Sequence, residues 1–352
     1  MNVFLKELSV DTNNVLKIGS NTLNKICETL SERSIGGKFL YVSDSVVDKL
    51  YGKTIKSQLG EIGKVREETV NHNTIAYAMS IAERVIATDI DCIVGLGGGK
   101  VLDVCKYAAY VSKKPVLSIP TTMANDGICS PVAVLKRQDN KPKSLVCNMP
   151  NMLIVDTNLI CNGPIKLIKA GIGDTISNYT ALLDWELACS RNKDEMNGYA
   201  FMLSKNSLDV LMRTQYNSIC PEFVEILANS LVLSGIAMGF QGSSRPVSGS
   251  EHLFNHALDY YGKTQNLHGI QVALGTIAVL KLIEKNYDNL LKYLHKFEVD
   301  INPAHLGIDE ETFVYCLQNA PAMRTSRYTY LNETDLSEEK IKKVYKQLLN
   351  EL

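Results

Sequence analysis

Short apolar runs and amphipathic segments alternate over the first 160 residues. The segments 21–33 and 100–112 carry apolar residues at the spacing of one helix face. The runs between them that have the length of buried strands are KFLYVSD (38–44), CIVGLG (92–97), VLSIPT (116–121) and MLIVDT (152–157). This alternation predicts a parallel sheet with helices on its faces, and such sheets bind ligands at the carboxyl ends of their strands.

Helical patterns replace the strand-like runs beyond residue 160. They cover 165–191, 201–217, 221–241, 249–261 and 268–285, and the last 18 residues, DLSEEKIKKVYKQLLNEL, form a charged amphipathic pattern. We therefore predict an α/β domain over residues 1–160 and an all-α domain over residues 161–352.

The charge and cysteine content narrow the class of protein. The net charge is −1, which gives no electrostatic basis for binding nucleic acid or an anionic membrane. The nine cysteines include no CxxC pair, which argues against a disulfide framework and against a thiolate zinc site. The N-terminus lacks the pattern of a signal peptide, and the longest apolar stretch, 231–240, is too short to span a bilayer. A cytoplasmic protein with a small-molecule partner is expected.

The stretch GLGGGK (95–100) joins a predicted strand to a predicted helix. Glycines let backbone N–H groups approach an anion, and a helix N-terminus favours negative charge. The spacing is neither GxGxxG nor GxxxxGK[ST], so a plain tight turn explains the stretch equally well. Asp103 and Lys106 follow in the helix and fit a solvated face. The loop PTTMANDGICSP (120–131) comes after the next strand, and it suits either a sugar and nicotinamide contact or an ordinary surface loop.

Three of the six histidines lie close together in the sequence. His252 and His256 are four residues apart and share a helix face, and His268 begins the next helical pattern. Two imidazoles and a carboxylate form a catalytic metal set with an open position, and Asp174 is the candidate carboxylate. The alternative is that these histidines cap helices or fill the core.

Five segments in order resemble the superfamily of iron-containing alcohol dehydrogenases, glycerol dehydrogenases and dehydroquinate synthases, and within it the branch that acts on glycerol 1-phosphate. The segments are GLGGGKVLDVCKYAAY, IPTTMANDGICSP, AGIGDTISNYTALLDW, SSRPVSGSEHLFNHALD and LHGIQVALGTI. The resemblance implies a dehydroquinate synthase-like fold with a nucleotide-binding α/β domain and a helical metal- and substrate-binding domain. It also implies NAD(P), one divalent metal, a polyol or polyol phosphate substrate and a homo-oligomer.

The same resemblance implies roles for individual residues. The cofactor residues are Gly97, Gly98 and Gly99 at the pyrophosphate, with Lys100, Asp103, Thr121, Thr122 and Ser130 around the rest of the nucleotide. The metal ligands are Asp174, His252 and His268. Asp126 stands at a substrate-side position, and His256 would lie near the nicotinamide and the substrate without binding the metal.

Two residues depart from the pattern of the iron-dependent relatives. Asn178 replaces a histidine four residues after the metal aspartate, which favours a three-ligand site suited to Zn²⁺, while Fe²⁺ and Ni²⁺ remain compatible. Ile270 replaces a glutamate after HG, so a partner that supports a ligand histidine is expected to be missing.

Two further positions bear on substrate and cofactor choice. Arg245 and Ser248 precede the first metal histidine and are candidates for binding a substrate phosphate. In the alternative, Arg245 forms an ion pair with a carboxylate, and Ser248 or Ser250 caps the next helix. Asp44 ends a strand, where a carboxylate binds the ribose hydroxyls of NAD(H), with NADP(H) tolerated; a plain turn aspartate is the alternative.

The expected reaction interconverts dihydroxyacetone phosphate and sn-glycerol 1-phosphate by hydride transfer to or from nicotinamide. The metal would act as a Lewis acid, and Asp126 or His256 would relay the proton. The alternatives are a glycerol dehydrogenase or another iron-type alcohol dehydrogenase, a dehydroquinate synthase-like lyase, and a nucleotide sensor without catalysis.

Overall fold

The computed structural model describes residues 14–262 and 265–351. The chain divides into two compact units. The first extends to Met123 and includes Gly127–Gly163, and the second consists of Ala124–Asp126 and the chain from Pro164 onward. The short segment 124–126 thus belongs to the second unit although it lies within the sequence of the first.

The first unit contains a six-stranded parallel sheet and a two-stranded hairpin. The strands are β1 (Val15–Gly19), β2 (Gly37–Ser43), β3 (Gly63–Thr69), β4 (Cys92–Gly97), β5 (Val116–Pro120), β6 (Val132–Lys136), β7 (Pro142–Val146) and β8 (Met152–Asp156). The helices are α1 (Ile26–Glu32), α2 (Ser45–Val47), α3 (Lys53–Ile62), α4 (Ile75–Ala87), α5 (Gly99–Ser112) and α6 (Thr157–Cys161). The sheet order is β1-β8-β5-β4-β2-β3, and β6 pairs with β7 in the antiparallel sense.

Helices cover both faces of this sheet, because alternate side chains of a strand point to opposite faces. Phe39 and Tyr41 of β2 join the apolar cluster formed with α1 and α3. Leu40 and Val42 of the same strand join the cluster formed with α4 and α5. Strand β4 is buried at every position, as expected for a central strand of a parallel sheet. The predicted α/β arrangement is confirmed.

The structure adds strands that the apolar pattern did not predict. The four predicted strands are β2, β4, β5 and β8, and each matches within one residue at either end. Strands β1 and β3 lie at the two edges of the sheet, and β3, with the sequence GKVREET, buries too few side chains to give an apolar run. The antiparallel hairpin of β6 and β7 was also not predicted, so the α/β unit is not purely alternating.

The described residues of the second unit form helices joined by loops, with no strand among them, which confirms the predicted all-α class. Its helices are α7 (Ile165–Ser190), α8 (Gly198–Met212), α9 (Pro221–Gln241), α10 (Ser250–Tyr261), α11 (His268–Leu282), α12 (Asp288–Lys296), α13 (Glu310–Met323) and α14 (Glu338–Glu351). Helix α14 corresponds to the predicted amphipathic helix near the end of the chain.

Helix α9 is longer than the apolar stretch that the sequence analysis considered. It has 21 residues with a mean hydropathy of 1.7 in its most apolar window, so by length and composition alone it passes as a membrane span. The helix packs against α7 and α8, and 61% of that window is buried inside the protein. This burial is typical of the core helix of a helical bundle.

Candidate active site

Three side chains from three helices of the second unit converge on one point. Asp174 lies in α7, His252 in the first turn of α10, and His268 is the first residue of α11. One ligand atom from each lies within 4.8 Å of the others, and Asp174 Oδ1 is 3.4 Å from His268 Nε2. Ligands that surround Zn²⁺ tetrahedrally at about 2.0–2.1 Å are roughly 3.4 Å apart, so the residues fit such an ion.

Two glycines allow the helices to come close enough for this convergence. Gly173 precedes Asp174 in α7, and Gly269 follows His268 in α11. A Cβ atom at Gly173 would be 3.0 Å from the carbonyl carbon of Gly269 and 3.0 Å from Ala273 Cβ. A Cβ atom at Gly269 would likewise approach Ala170 Cα to 3.0 Å. The glycines therefore set the distance between the carboxylate and the imidazole.

The electrostatic environment keeps His252 neutral. Burial, followed by the neighbouring His268, lowers the pKa of His252 to about 3. Burial is also the largest influence on the pKa of His268 and lowers it, but the hydrogen bond with Asp174 and the negative charges of nearby aspartates together raise that pKa above its usual value. A neutral imidazole and an ionised carboxylate are the forms that bind metal. Asp174 Oδ2 accepts the backbone N–H of Asp126 at 3.0 Å, which leaves Oδ1 directed towards His268.

Asn178 lies one turn after Asp174, and its side chain forms hydrogen bonds with serines of two other helices. Its Nδ2 donates to Ser234 Oγ at 2.9 Å and to Ser207 Oγ at 3.3 Å, and the side chain is buried. These serines lie on α8 and α9, so the amide serves helix packing. This geometry supports the three-ligand set that the sequence predicts.

The two predicted proton-relay residues differ in their surroundings. Asp126 lies in a short 3₁₀ helix, and its backbone is tied to Asp174. His256 is one turn after His252 on α10, and it is exposed to solvent. Their predicted roles in proton transfer stay predictions.

The glycine stretch of the first unit forms the junction between β4 and α5. Gly97 ends the strand, and a Cβ atom there would be 2.7 Å from Val101 Cγ2. Gly98 is the N-cap residue, and no side chain caps the helix. Gly99 and Lys100 are exposed at the first turn, and a Cβ atom at Gly99 would meet open space. Backbone N–H groups at such an end are suited to an anion.

Lys106 is buried and Asp103 is partly buried, so the suggestion of a solvated face is wrong. Their side chains form an ion pair at 3.1 Å, and the Lys106 side chain is fully buried. Lys106 Nζ donates to the carbonyl of Gly127 at 2.8 Å and to that of Val132. Asp103 Oδ2 accepts the N–H of Val134 at 3.1 Å. The pair therefore holds the chain that leads from the 120–131 loop into β6.

The other predicted cofactor residues lie around the carboxyl ends of the sheet strands. Thr121 is buried and its N–H donates to Gly97 O at 3.0 Å, while Thr122 Oγ1 would be 3.3 Å from a Cβ atom at Gly98. Ser130 is buried, with its hydroxyl 3.4 Å from Val132 O. Asp44 caps α2: its Oδ1 accepts the N–H groups of Val46 and Val47. Contact of these residues with a nucleotide stays a prediction.

Arg245 adopts the arrangement that the sequence analysis gave as the alternative. It is 2% exposed, and its Nη2 donates to Asp184 O and to Tyr328 O, each at 2.7 Å. Its Nε lies 3.1 Å from Asp194 Oδ2. Arg245 thus pairs with a carboxylate inside the helical unit, and this geometry favours a supporting role over contact with a substrate phosphate.

The serines near Arg245 do not cap the next helix. Gly249 occupies the N-cap position of α10, and the helix has no side-chain cap. Ser250 instead bonds to Asp184, through its N–H at 2.5 Å and its hydroxyl at 3.0 Å. Ser248 is buried, and its carbonyl accepts a hydrogen bond from Arg327. The capping alternative is therefore wrong for both serines.

Glu251 is a residue of the site that the sequence analysis missed. Its Oε1 lies 2.8 Å from His252 Nδ1, so this ligand histidine has a carboxylate partner. The partner expected to be missing because of Ile270 is that of His268. The available signal was the position of Glu251 directly before His252 in SGSEH. Residues adjacent along a helix seldom face each other, which is why the pattern did not indicate the contact.

Comparisons with known proteins show which dehydrogenases this chain is similar to. Residues 17–164 match the family model described as iron-containing alcohol dehydrogenase. A glycerol-1-phosphate dehydrogenase of Sulfurisphaera tokodaii is 34% identical over 97% of this chain and 98% of that protein. The enzyme of the same name from Archaeoglobus fulgidus is 35% identical over 93% of this chain and 94% of its own length.

Solved structures share the fold at lower identity. The glycerol dehydrogenase of Schizosaccharomyces pombe superposes with a TM-score of 0.78 at 18% identity, over 96% of this chain and 89% of that one. This likeness concerns the fold alone, whereas the full-length sequence identities carry the assignment. The chain belongs to the glycerol-1-phosphate dehydrogenase family, within the iron-containing alcohol dehydrogenases.

Proposed function

We propose that this chain is an NAD(P)-dependent, metal-dependent dehydrogenase that interconverts dihydroxyacetone phosphate and sn-glycerol 1-phosphate. The observation that carries the proposal is the convergence of Asp174, His252 and His268 in a chain that matches dehydrogenases of that name over almost its full length. A lyase or a nucleotide sensor is less well supported, because the relatives are named for oxidation and reduction.

The first unit, predicted as the nucleotide-binding domain, would hold the cofactor at the carboxyl ends of its strands. The exposed N-terminus of α5, with Gly97, Gly98, Gly99 and Lys100, suits the pyrophosphate. Asp44 bonds its own helix through Oδ1, which leaves Oδ2 to accept from a ribose hydroxyl. A carboxylate there favours NAD(H) over NADP(H), because it repels a 2′-phosphate.

The loop after β5 would complete the nucleotide site. Thr121 and Thr122 supply hydroxyl groups beside the glycine stretch, and Ser130 supplies one at the end of the loop. Asp103 acts on this loop indirectly, since it pairs with the lysine that holds the loop's carbonyls. We therefore assign Asp103 a supporting role in cofactor binding.

The second unit would hold the metal and the substrate. Asp174, His252 and His268 would bind one divalent ion, with Zn²⁺ preferred because a set of one carboxylate and two imidazoles keeps a fourth position open. When bound there, the ion polarises the ketone and stabilises the alkoxide of the alcohol. Asp126 and His256 are the groups near this set that would hold or move the proton of the substrate hydroxyl.

Arg324 is the cation best placed for the substrate phosphate. It is exposed at the C-terminal end of α13, its Nη1 is 3.3 Å from Ser244 Oγ, and its charge acts on His256. Arg245, by contrast, is committed to Asp184 and Asp194. Arg324 therefore takes the role that the sequence analysis gave to Arg245, while a contact from Ser248 stays a prediction.

The chain is also proposed to act in the cytoplasm as a homo-oligomer. All nine cysteines are free thiols, which is consistent with a reducing compartment. The oligomer rests on the resemblance to the family, and size-exclusion chromatography with light scattering would measure it.

The first experiment follows NADH oxidation by the zinc-loaded protein with dihydroxyacetone phosphate and dihydroxyacetone in parallel. We expect a large preference for the phosphate, with activity lost on treatment with EDTA and restored by Zn²⁺. A preference for dihydroxyacetone would make the protein a glycerol dehydrogenase, and oxidation of neither would refute the proposed function.

The role of Arg324 is tested in the same assay. Arg324→Gln should raise the KM for dihydroxyacetone phosphate strongly and leave turnover of dihydroxyacetone almost unchanged, since only the phosphate loses a partner. Arg213→Gln, which removes an exposed arginine at the end of α8, is the matched control. An equal KM in Arg324→Gln and the control would remove Arg324 from the site.

A further inference from the structure

Glu251 is fully buried, and both of its carboxyl oxygens accept hydrogen bonds. Its Oε1 accepts the N–H of Gly249 at 2.6 Å and lies 2.8 Å from His252 Nδ1. Its Oε2 accepts the hydroxyl of Thr180 at 2.6 Å. A donor directed at each oxygen, from Gly249 and from Thr180, forms the environment of a carboxylate.

The surrounding chain is built to keep this carboxylate in place. A Cβ atom at position 249 would come within 3.0 Å of Glu251 Oε2 and 2.9 Å of Ala181 Cα, so only glycine fits there. Asp184 holds the first turn of α10 through Ser250 and also accepts the N–H of Tyr330 at 2.7 Å. The start of α10 is thereby anchored on one side by Asp184 and on the other by Glu251.

The contact with Glu251 determines which nitrogen of His252 faces the other ligands. A carboxylate accepts a proton donor, so it selects the tautomer of His252 with hydrogen on Nδ1. The lone pair of that tautomer is on Nε2, which is then free to bind a metal beside Asp174 and His268. A carboxylate in this position also restricts rotation of the ring and increases its basicity as a ligand.

We propose that Glu251 is a positioning residue that fixes the tautomer and orientation of His252 for metal binding. The inference rests on the proposed metal site of this family member and adds a residue to it. Glu251 acts through His252 and does not itself touch substrate, cofactor or metal.

The decisive measurement is the affinity for Zn²⁺, obtained by competition with a chromogenic chelator. Glu251→Leu removes the acceptor, and we expect the Kd for Zn²⁺ to rise about 10- to 100-fold. Glu251→Gln keeps a neutral acceptor, so its Kd should fall between those of the wild type and the leucine variant. Thr180→Val is the matched control, because it removes the donor to Oε2 and leaves the Oε1 contact with His252.

Each outcome decides the proposal. A Kd for Zn²⁺ in Thr180→Val within about threefold of the wild type, with the graded loss in the two Glu251 variants, would support it. Equal losses in Thr180→Val and Glu251→Gln would reduce Glu251 to a structural residue and overturn it. If Glu251→Leu does not fold, the comparison of Glu251→Gln with Thr180→Val still decides.

A second readout needs no metal and separates this proposal from the proposed function. The metal-free protein is labelled with ¹⁵N-histidine, and the ¹⁵N chemical shifts of the His252 ring report its tautomer. We expect hydrogen on Nδ1 in the wild type and a mixture of tautomers in Glu251→Leu. If the leucine variant does not fold, Glu251→Gln replaces it. An unchanged tautomer would overturn the positioning role even if the enzyme is active. A wild type that shows the Nδ1–H tautomer but fails to bind Zn²⁺ would refute the metal site alone.

Discussion

The close approach of α7 and α11 predicts the effect of a single added methyl group at Gly173. In Gly173→Ala the new Cβ atom would lie 3.0 Å from the Gly269 carbonyl carbon, whereas carbon atoms rest at about 3.5–4.0 Å. The helices must therefore separate by roughly 0.5–1 Å. Overpacking of this kind costs about 1–3 kcal/mol of unfolding free energy.

The same separation moves Asp174 away from His268. Metal–ligand distances tolerate only about 0.2 Å, so we expect the Kd for Zn²⁺ in Gly173→Ala to rise at least about tenfold. Chelator competition measures the affinity, and urea denaturation of the metal-free protein measures the stability.

Gly60→Ala is the matched control for this change. Gly60 lies in α3, and a Cβ atom there meets nothing within 4 Å, so the variant should gain about 0.5–1 kcal/mol and bind Zn²⁺ as before. The reasoning would be refuted if Gly173→Ala bound Zn²⁺ as tightly as the wild type, because the glycine contact would then not set the ligand geometry.

Two further predictions concern the ion pairs of the chain. Lys106→Met should lower the unfolding free energy by about 3–5 kcal/mol, because it removes a fully buried cation and leaves the partly buried Asp103 without its partner. Urea denaturation should show a smaller loss in the double variant with Asp103→Asn, and additive losses would contradict the coupling. The hydrogen bond from Arg191 lowers the pKa of Glu333 to about 2, whereas the pKa of a glutamate in an unfolded chain is about 4.3. The pair therefore stabilises the fold fully above pH 4.3, and this stabilisation is lost as the pH falls towards 2. The stability difference between wild type and Glu333→Gln, measured at pH 6 and pH 3, should therefore shrink in acid, and a constant difference would contradict the assignment.

The apolar pattern predicts the central strands and the long helices because their burial repeats with the period of the element. Strands β2, β4, β5 and β8 are buried on both faces and so appear as continuous apolar runs. The edge strands β1 and β3 and the hairpin of β6 and β7 lack such runs, since half or more of their side chains are exposed or only partly buried. The sequence therefore predicts the interior of the sheet better than its edges.

Residue type and spacing suggested the chemistry of the site, and the resemblance to the family favoured it over the alternatives that they left open. Three of only six histidines lie at 252, 256 and 268, which indicated a metal set with Asp174 as the candidate carboxylate, and GLGGGK indicated an anion site because glycine permits close backbone approach. The order of these motifs along the chain also indicated the family.

Only the tertiary structure decided which partner each polar side chain takes. Arg245 bonds to Asp184 and Tyr328, which are 61 and 83 residues away, and Glu251 bonds to Thr180, 71 residues away. Local periodicity carries no information on such pairs, because it records which face of an element is apolar and not what is packed against that face. A buried charge must find a partner, and the packing of distant helices determines which one it finds.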